Sequence, residues 1–397
     1  MIELLAPAGT KEKLKTAFYF GADACYFAGT KYGLRAYSGN FSNDELKQSI
    51  AYAHSLNKKC YITVNIVAHN TDFNGLKEYI EYLVSINADA VIVSDVGIIK
   101  LIKEVAPSLP IHVSTQANVT NKYAAKFYAD LGVTRIVLAR ELSITEIKEI
   151  RDYIPKNIEL EAFVHGAMCI SYSGRCLLSN FLTGRDGNCG ACVQACRWEY
   201  AISEISRPNE YLPITEDEHG TYILNSKDIN MLNYLKELYD AGVTSFKVEG
   251  RMKSAYYVAT VINAYRRVID NNFKATKQLN EELNKTSHRK YTTAFYFGDQ
   301  NKEDLTSSGY TQTHEFMAIV LEDSKNGYAL IEQRNRFKVG DELEVLSPST
   351  SFNKKIKVNV MLDEKGEQVL DALKVQQKIK LKTGVTLHAG DILRRKI

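Results

Sequence analysis

The sequence predicts an α/β fold: a TIM-type (β/α)8 barrel with a cysteine-rich insertion after strand seven, then a small C-terminal antiparallel β-barrel domain. Three observations predict it. Over the first 270 residues, eight short β-type runs alternate with amphipathic helical stretches, the count of a closed barrel. No Gly-x-Gly-x-x-Gly follows the first run, which argues against an open doubly wound sheet. Beyond residue 310 the helical stretches stop and short strands separated by turns take over.

The strand candidates in order are IELLAP (2–7), DACYFAG (23–29), KCYITVN (59–65), AVIVSD (90–95), IHVSTQ (111–116), RIVLAR (135–140), LEAFVHG (160–166) and SFKVEGR (245–251). Helical patterns such as NDELKQSIAYAHSL (43–56) and NGLKEYIEYLVSI (74–86) separate them. Ser143 precedes ITEIKEI with Glu146 three positions on, a capping box that starts a helix. The domain reading is a barrel over 1–270 with an insertion at 165–228, a linker with a short helix over 271–309, and a β-domain over 310–397. In that last part FMAIVLE, YALIEQ, DELEVLS, KKIKVNVML, QKIKLKT and DILRRK read as six strands, and Lys325-Asn326-Gly327 as a hairpin turn.

At 45% hydrophobic and 24% charged residues, the chain is an ordinary globular protein rather than a disordered or membrane-embedded one. Glu3 sits where a secretory signal needs positive charge. The best apolar run, AVIVSDVGIIKLI, is broken by Asp95 and Lys100, so no membrane association is expected. These features predict a cytoplasmic protein, where disulfides are disfavoured and clustered cysteines read as metal-binding or catalytic. The net charge is +3, and all of the excess lies from Tyr310 onward, where 15 Lys and Arg face 12 Asp and Glu. Its direction favours an acidic partner such as RNA, although its size is that of any soluble surface.

Five of the seven cysteines fall between Cys169 and Cys196, spaced Cys169-x6-Cys176 and Cys189-x2-Cys192-x3-Cys196. Cys25 and Cys60 lie in apolar runs and read as buried structural thiols. Zinc, an iron–sulfur cluster and plain burial are the three readings of the five. Gly174, Gly184, Gly187 and Gly190 among them suit close backbone approach to a metal and count against plain burial. Structural zinc favours paired Cys-x2–4-Cys knuckles, for which Cys169-x6-Cys176 is too wide, so the spacing leans toward iron–sulfur. Radical-SAM chemistry uses Cys-x3-Cys-x2-Cys, the reverse of the order here.

Barrel chemistry gathers where strands end. The polar residues at those ends are Asn65, Asp95, Gln116, Asn118, Arg140, Glu141, His165, Lys247, Glu249 and Arg251. His165, Arg140, Lys247, Glu249 and Arg251 are the candidate catalytic group, set against the plainer reading that each closes a rim salt bridge. Arg140, Lys247 and Arg251 are candidate anion clamps. His165 is a candidate proton carrier or orienter of a metal ligand. Tyr172 and Trp198 flank the cysteines and are candidates for stacking a base, against core packing as the alternative. Neither His-Glu-x-x-His nor Gly-x-Ser-x-Gly occurs, which weakens a hydrolase reading.

The segments Glu161-Ala-Phe163-Val-His-Gly166-Ala-Met-Cys169, Gly174-Arg-Cys176-Leu-Leu-Ser179, Arg185-Asp186 and Cys192-Val-Gln-Ala-Cys196-Arg197-Trp198-Glu199-Tyr200 resemble the signature of the peptidase U32 family. Lys247-Val-Glu249-Gly-Arg251-Met-Lys253, Tyr291-Thr-Thr-Ala-Phe-Tyr-Phe-Gly298 and the opening Leu5-Ala-Pro7-Ala-Gly9 extend the likeness over the chain. The family was named for collagenase-type proteases. The resemblance implies instead oxygen-independent or prephenate-linked hydroxylation, of tRNA wobble uridine, of a ribosomal RNA cytidine or of ubiquinone precursors. It implies a [4Fe–4S] cluster on Cys169, Cys176, Cys192 and Cys196, with Cys189 off the family positions as a spare thiol or alternate ligand. A barrel with one small β-domain is most similar to the branch that makes 5-hydroxyuridine in tRNA. A collagenase-like peptidase, or a cluster-bearing subunit of another hydroxylase, is the alternative. The expected partners are tRNA and a small dicarboxylate such as prephenate.

Overall fold

The computed structural model describes residues 2–33, 40–168, 227–298 and 310–397. Between 169 and 226 it describes 176, 178–185, 192–195, 198, 202–203, 211–212, 216–217 and 220–221. The chain forms two compact units, one of residues 1–14, 22–252 and 289–310, the other of 15–21, 253–288 and 311–397.

In the first unit the strands are β1 (Glu3–Pro7), β2 (Ala24–Phe27), β3 (Lys59–Val64), β4 (Ala90–Val93), β5 (Ile111–Val113), β6 (Arg135–Val137) and β7 (Glu159–Ala167). After β7 come two short ribbons, β8 (Ile202–Ser203) with β9 (Tyr211–Leu212) and β10 (Glu216–Asp217) with β11 (Gly220–Thr221). Then follow β12 (Asp228–Asn230), β13 (Val243–Val248) and β14 (Tyr291–Thr292). Strands β1 to β7 pair in parallel in chain order, and β13 pairs in parallel with both β7 and β1. That double pairing closes an eight-stranded parallel barrel. The sequence places all eight strands correctly, and the structure differs only at the ends.

Helices α2 (Asn43–Ser55), α3 (Leu76–Ser85), α4 (Val96–Val105), α5 (Lys122–Asp130) and α6 (Ile144–Tyr153) fill the connections. The Ser143 capping box is present: the hydroxyl accepts from Glu146 N, and the Glu146 carboxylate accepts from Ser143 N at 2.8 Å. Ser42 and Glu45 form a second box at the start of α2. Asp95, expected at the barrel mouth, is the N-cap of α4, its carboxylate accepting from Ile98 N at 3.0 Å. An Asp directly before an apolar helix is a cap first, because it satisfies an otherwise orphaned amide.

Strand β7 is longer than its barrel neighbours. Its last residues, His165 to Ala167, turn to pair antiparallel with β12, and β14 extends that patch in parallel with β12. Residues 271–309, expected as a linker with a short helix, hold that helix (Lys277–Leu283) and, beyond the expectation, β14. Arg289 explains the docking of β14. It is buried, donates its Nη2 and Nε to Asp228 Oδ1 at 2.7 and 3.0 Å, and donates its backbone N–H to Oδ2 at 3.1 Å.

The second unit is built on a seven-stranded antiparallel sheet. Its strands are β15 (His314–Val320), β16 (Tyr328–Gln333), β18 (Glu342–Leu346), β19 (Lys355–Lys357), β20 (Met361–Leu362), β22 (Lys378–Lys382) and β23 (Ile392–Lys396), with β17 (Phe337–Lys338) and β21 (Asp371–Ala372) as a side pair. The predicted run KKIKVNVML divides into β19 and β20. The turn at Lys325-Asn326-Gly327 is a two-residue hairpin: Asn326 and Gly327 have φ of 52° and 77°, and Lys325 and Tyr328 exchange backbone hydrogen bonds. Met317, Val320, Ile331, Leu343, Val345, Ile379, Leu381 and Leu393 form its core.

Candidate active site at the barrel mouth

The barrel interior is polar at its centre. Glu3 on β1, Arg135 on β6, Glu161 on β7 and Lys247 on β13 form a continuous ion-paired chain. Arg135 Nη1 lies 2.5 Å from Glu3 Oε1 and 3.0 Å from Glu161 Oε2, and Lys247 Nζ lies 2.6 Å from Glu161 Oε1. Ser245 and Tyr61 also hydrogen-bond Glu3. Glu161 is fully buried, and Arg135 and Lys247 are nearly so. Burial disfavours the charge of Glu3, but the Arg135 guanidinium outweighs it and holds the carboxyl below its usual range. Burial likewise opposes the charge on Arg135, and the Glu3 and Glu161 carboxylates more than restore it.

His112, on β5, stacks edge-on against Tyr61 at 4.6 Å inside the same barrel. Burial, then the nearby charges of Arg135, Lys247 and Lys59, depress its pKa well below 6.5. It is therefore neutral in the folded chain, and its Nδ1 has no hydrogen-bond partner among the described residues. In the unfolded chain the ring takes a proton as pH falls below about 6.5; in the fold it does not. Stability from this group is full above that pH and declines below it, by up to about 1.4 kcal/mol per pH unit. A His112→Phe variant should lose this part of the slope between pH 6.5 and 5 in urea titrations; an unchanged slope would show that His112 protonates in place.

Toward the mouth, the Lys247 ammonium sits 4.4 Å from the centre of the Tyr26 ring. The Tyr26 hydroxyl lies 3.0 Å from Glu249 Oε2 and 3.1 Å from the Val248 carbonyl. Arg251 is buried and donates from Nη2 to Asn40 Oδ1 at 2.5 Å, while its carbonyl accepts from Lys13 Nζ at 3.2 Å. Two glycines permit this crowding. A Cβ on Gly9 would stand 2.6 Å from the Arg251 carbonyl oxygen; one on Gly166, at φ 107°, would stand 2.4 Å from that of Glu249.

Arg140 lies over the Phe163 ring at 4.3 Å and donates from Nη1 to the Ala167 carbonyl at 2.9 Å. The Tyr296 hydroxyl donates to the Phe163 carbonyl at 2.7 Å. The first contact fastens the end of β7, two residues before Cys169, and the second its middle. His165 is buried, its ring 5.4 Å from that of Tyr291.

The five predicted mouth residues therefore converge on one end of the barrel, but two of the expected anion clamps are already engaged. Lys247 is neutralised by Glu161, and Arg140 braces β7. Asn65 Nδ2 reaches Ser114 Oγ at 3.5 Å, and Gln116 N donates to the same hydroxyl at 3.3 Å. Asn118 ends a 3-10 turn with φ 55°, its Oδ1 buried without a hydrogen-bond partner among the described residues. Glu141 is half-buried. Sequence reasoning missed Glu161 and Arg135 as a functional unit. Their signal was present: a charge in the middle of a both-faces-buried strand needs a partner.

Of the cysteines, Cys176 is half-buried and Cys192 exposed, and Gln194 N donates to Cys192 Sγ at 3.3 Å. Cys169, Cys189 and Cys196 lie outside the described residues, as does Tyr172. Among the described residues no group of three or more His, Cys, Asp or Glu forms a metal site. Trp198 is exposed, and Cys25 and Cys60 are buried as expected. Among the described residues no helix is long and apolar enough to cross a membrane.

The model of peptidase family U32 matches residues 9–306, and that of the family's C-terminal domain matches 312–394. The chain belongs to peptidase family U32. Among its U32 relatives, tRNA hydroxylation protein P1 of Bacillus subtilis is 38% identical over 99% of this chain and 94% of its own length. tRNA hydroxylation protein P of Escherichia coli is 38% identical, covering 88% of this chain and 87% of its own. A protein of Porphyromonas gingivalis named collagenase is 30% identical, covering 88% of this chain and 87% of its own length.

Proposed function

We propose that this chain is an iron–sulfur-dependent RNA hydroxylase that converts wobble uridine in tRNA to 5-hydroxyuridine, with prephenate as co-substrate. The observation that carries this reading is the likeness, over nearly the whole chain, to the two tRNA hydroxylation proteins. The site is compatible with it. The cysteine-bearing segment leaves the barrel at the C-terminal end of β7, where barrel enzymes place their chemistry. Converting C5–H to C5–OH is a two-electron oxidation, work for a redox cofactor rather than for acid–base side chains alone.

Cys169, Cys176, Cys192 and Cys196 would hold a [4Fe–4S] cluster, with Cys189 as the alternate ligand. The donor chemistry of the described pair fits: both are soft sulfur donors, and an N–H donated to sulfur, as from Gln194 to Cys192, stabilises a thiolate ligand. Such a cluster, when bound, supplies electron transfer beside the substrate. The chain's own residues bind and orient. Arg251 and Arg140 are the proposed contacts for carboxylate or phosphate, Lys247 with Glu161 fixes the floor of the site, and Glu249 and His165 are the proposed proton carriers.

The test is nucleoside mass spectrometry of tRNA from a host lacking its own hydroxylation proteins. Expression of this chain should restore 5-hydroxyuridine or its derivatives. Folded, iron-loaded protein that restores none would retire the reading.

A further inference from the structure

The second unit carries a surface that the hydroxylase reading leaves without a role. Helices α9 (Ala255–Asp270) and α10 (Lys277–Leu283) contact the half of its sheet that holds β15 and β23. Glu282 on α10 pairs with the buried Arg394 of β23 at 2.5 and 2.8 Å, and Tyr256 on α9 stacks on Phe316 of β15 at 5.8 Å. The other half, β16, β22 and β20, turns Ala329, Ile331, Ile379, Leu381 and Met361 into the core. Its opposite face carries Lys378, Lys380 and Lys382, alternate residues of β22, all exposed.

None of the three ammonium groups has an ion-pair or hydrogen-bond partner among the described residues. Lys382 stands opposite Tyr328 and Lys380 opposite Leu330, with Leu362 on its other side; all three neighbours are half-buried. Glu332, opposite Lys378, is already paired with Arg334 at 2.9 Å. Exposed Lys325 in the adjoining hairpin adds a fourth cation. Alternate residues on a strand lie about 6.8 Å apart, a regular row of compact cations over a flat aromatic and aliphatic floor. Such a row suits a polyanion with evenly repeated charge, and releasing its counterions drives binding.

We propose that this open half-face docks the phosphate backbone of the RNA substrate. The proposal rests on the hydroxylase reading for the identity of the partner and adds the surface that holds it. The floor residues complement the lysines, since Tyr328 and the leucines offer apolar surface to ribose and base while the ammonium groups take phosphates.

The experiment uses full-length protein purified without air, in wild-type form and as the triple variants Lys378→Gln/Lys380→Gln/Lys382→Gln and Lys378→Glu/Lys380→Glu/Lys382→Glu. Fluorescence anisotropy with labelled tRNA is read over a range of salt, beside iron content and 5-hydroxyuridine yield in cells. The expected result is at least a tenfold rise in Kd for the glutamine variant, more for the glutamate one. The slope of log K against log salt should shrink by about 2–3, with iron content unchanged. Wild-type and variant proteins equal in affinity and slope would overturn the surface, while product from the wild type would leave the hydroxylase reading standing. Wild-type protein that makes no product but loses tRNA binding in the variants would retire that reading and keep the surface. Binding to phosphatidylglycerol vesicles, lost in the variants, with no tRNA binding by the wild type, would overturn the proposal in favour of a membrane surface.

Discussion

Cys176→Ala is expected to lower the iron content of anaerobically purified protein from about four per chain to well under one, and to abolish 5-hydroxyuridine formation. Cys176 is a half-buried cysteine just before the short helix α7 (Leu178–Thr183). Only one other of the four proposed ligands, Cys192, is among the described residues. Removing one of four thiolates leaves an iron without its protein ligand, and the visible absorption of the cluster should bleach with it. The far-UV circular dichroism should not change, because the barrel core does not involve this thiol. A variant that keeps its iron and its product would remove Cys176 from the ligand set and bring Cys189 into it.

Glu161→Ala is expected to cost about 3–5 kcal/mol of stability, a large share of the 5–15 kcal/mol that holds an ordinary domain together. The reason is the partner left behind. Lys247 Nζ, 2.6 Å from Glu161, and Arg135, 3.0 Å from it, are both nearly fully buried. Without the carboxylate the buried Lys247 loses its counter-ion, while Arg135 keeps only its pairing with Glu3 and Glu159. The pair Glu161→Met/Lys247→Met should recover most of the loss, since replacing both members of a buried ion pair with apolar side chains is often neutral. Urea unfolding of the two variants and the wild type measures this. A loss below about 1 kcal/mol for the single variant, the size of an exposed pair, would mean that water reaches the barrel centre.

The barrel was legible because a strand buried on both faces must be an apolar run, and eight such runs separated by amphipathic helices leave few alternatives. The patch made by β12 and β14 was not. Asp-Ile-Asn and Tyr-Thr are too short to show a period, and what docks them is the buried pair of Asp228 with Arg289, 61 residues apart. The ion-paired chain in the barrel was hidden for the same reason. Glu3, Arg135, Glu161 and Lys247 sit on four strands, and only closure of the barrel brings each within 3.0 Å of the next in the chain.

The candidate site was legible in outline. Residues at strand ends gather at one mouth by the geometry of the fold, so Arg140, His165, Lys247, Glu249 and Arg251 were found together. Their individual roles were not legible. A sequence shows that Lys247 is a cation at a strand end but not that Glu161 already holds it, nor that Arg140 reaches the Ala167 carbonyl. Asp95 illustrates the converse, a strand-end carboxylate whose role is local, capping the next helix. The cysteine spacing pointed to a soft-metal site, while the choice of four ligands among five came from the family likeness.

The measurement that bears most directly on the proposed redox site is the metal and sulfide content of the protein purified without air, with its visible spectrum. The account predicts a brown protein with about four iron and four acid-labile sulfide per chain, bleached slowly by oxygen. A colourless protein that instead holds zinc would contradict it, and would return the chain to the hydrolytic chemistry that its family name suggests.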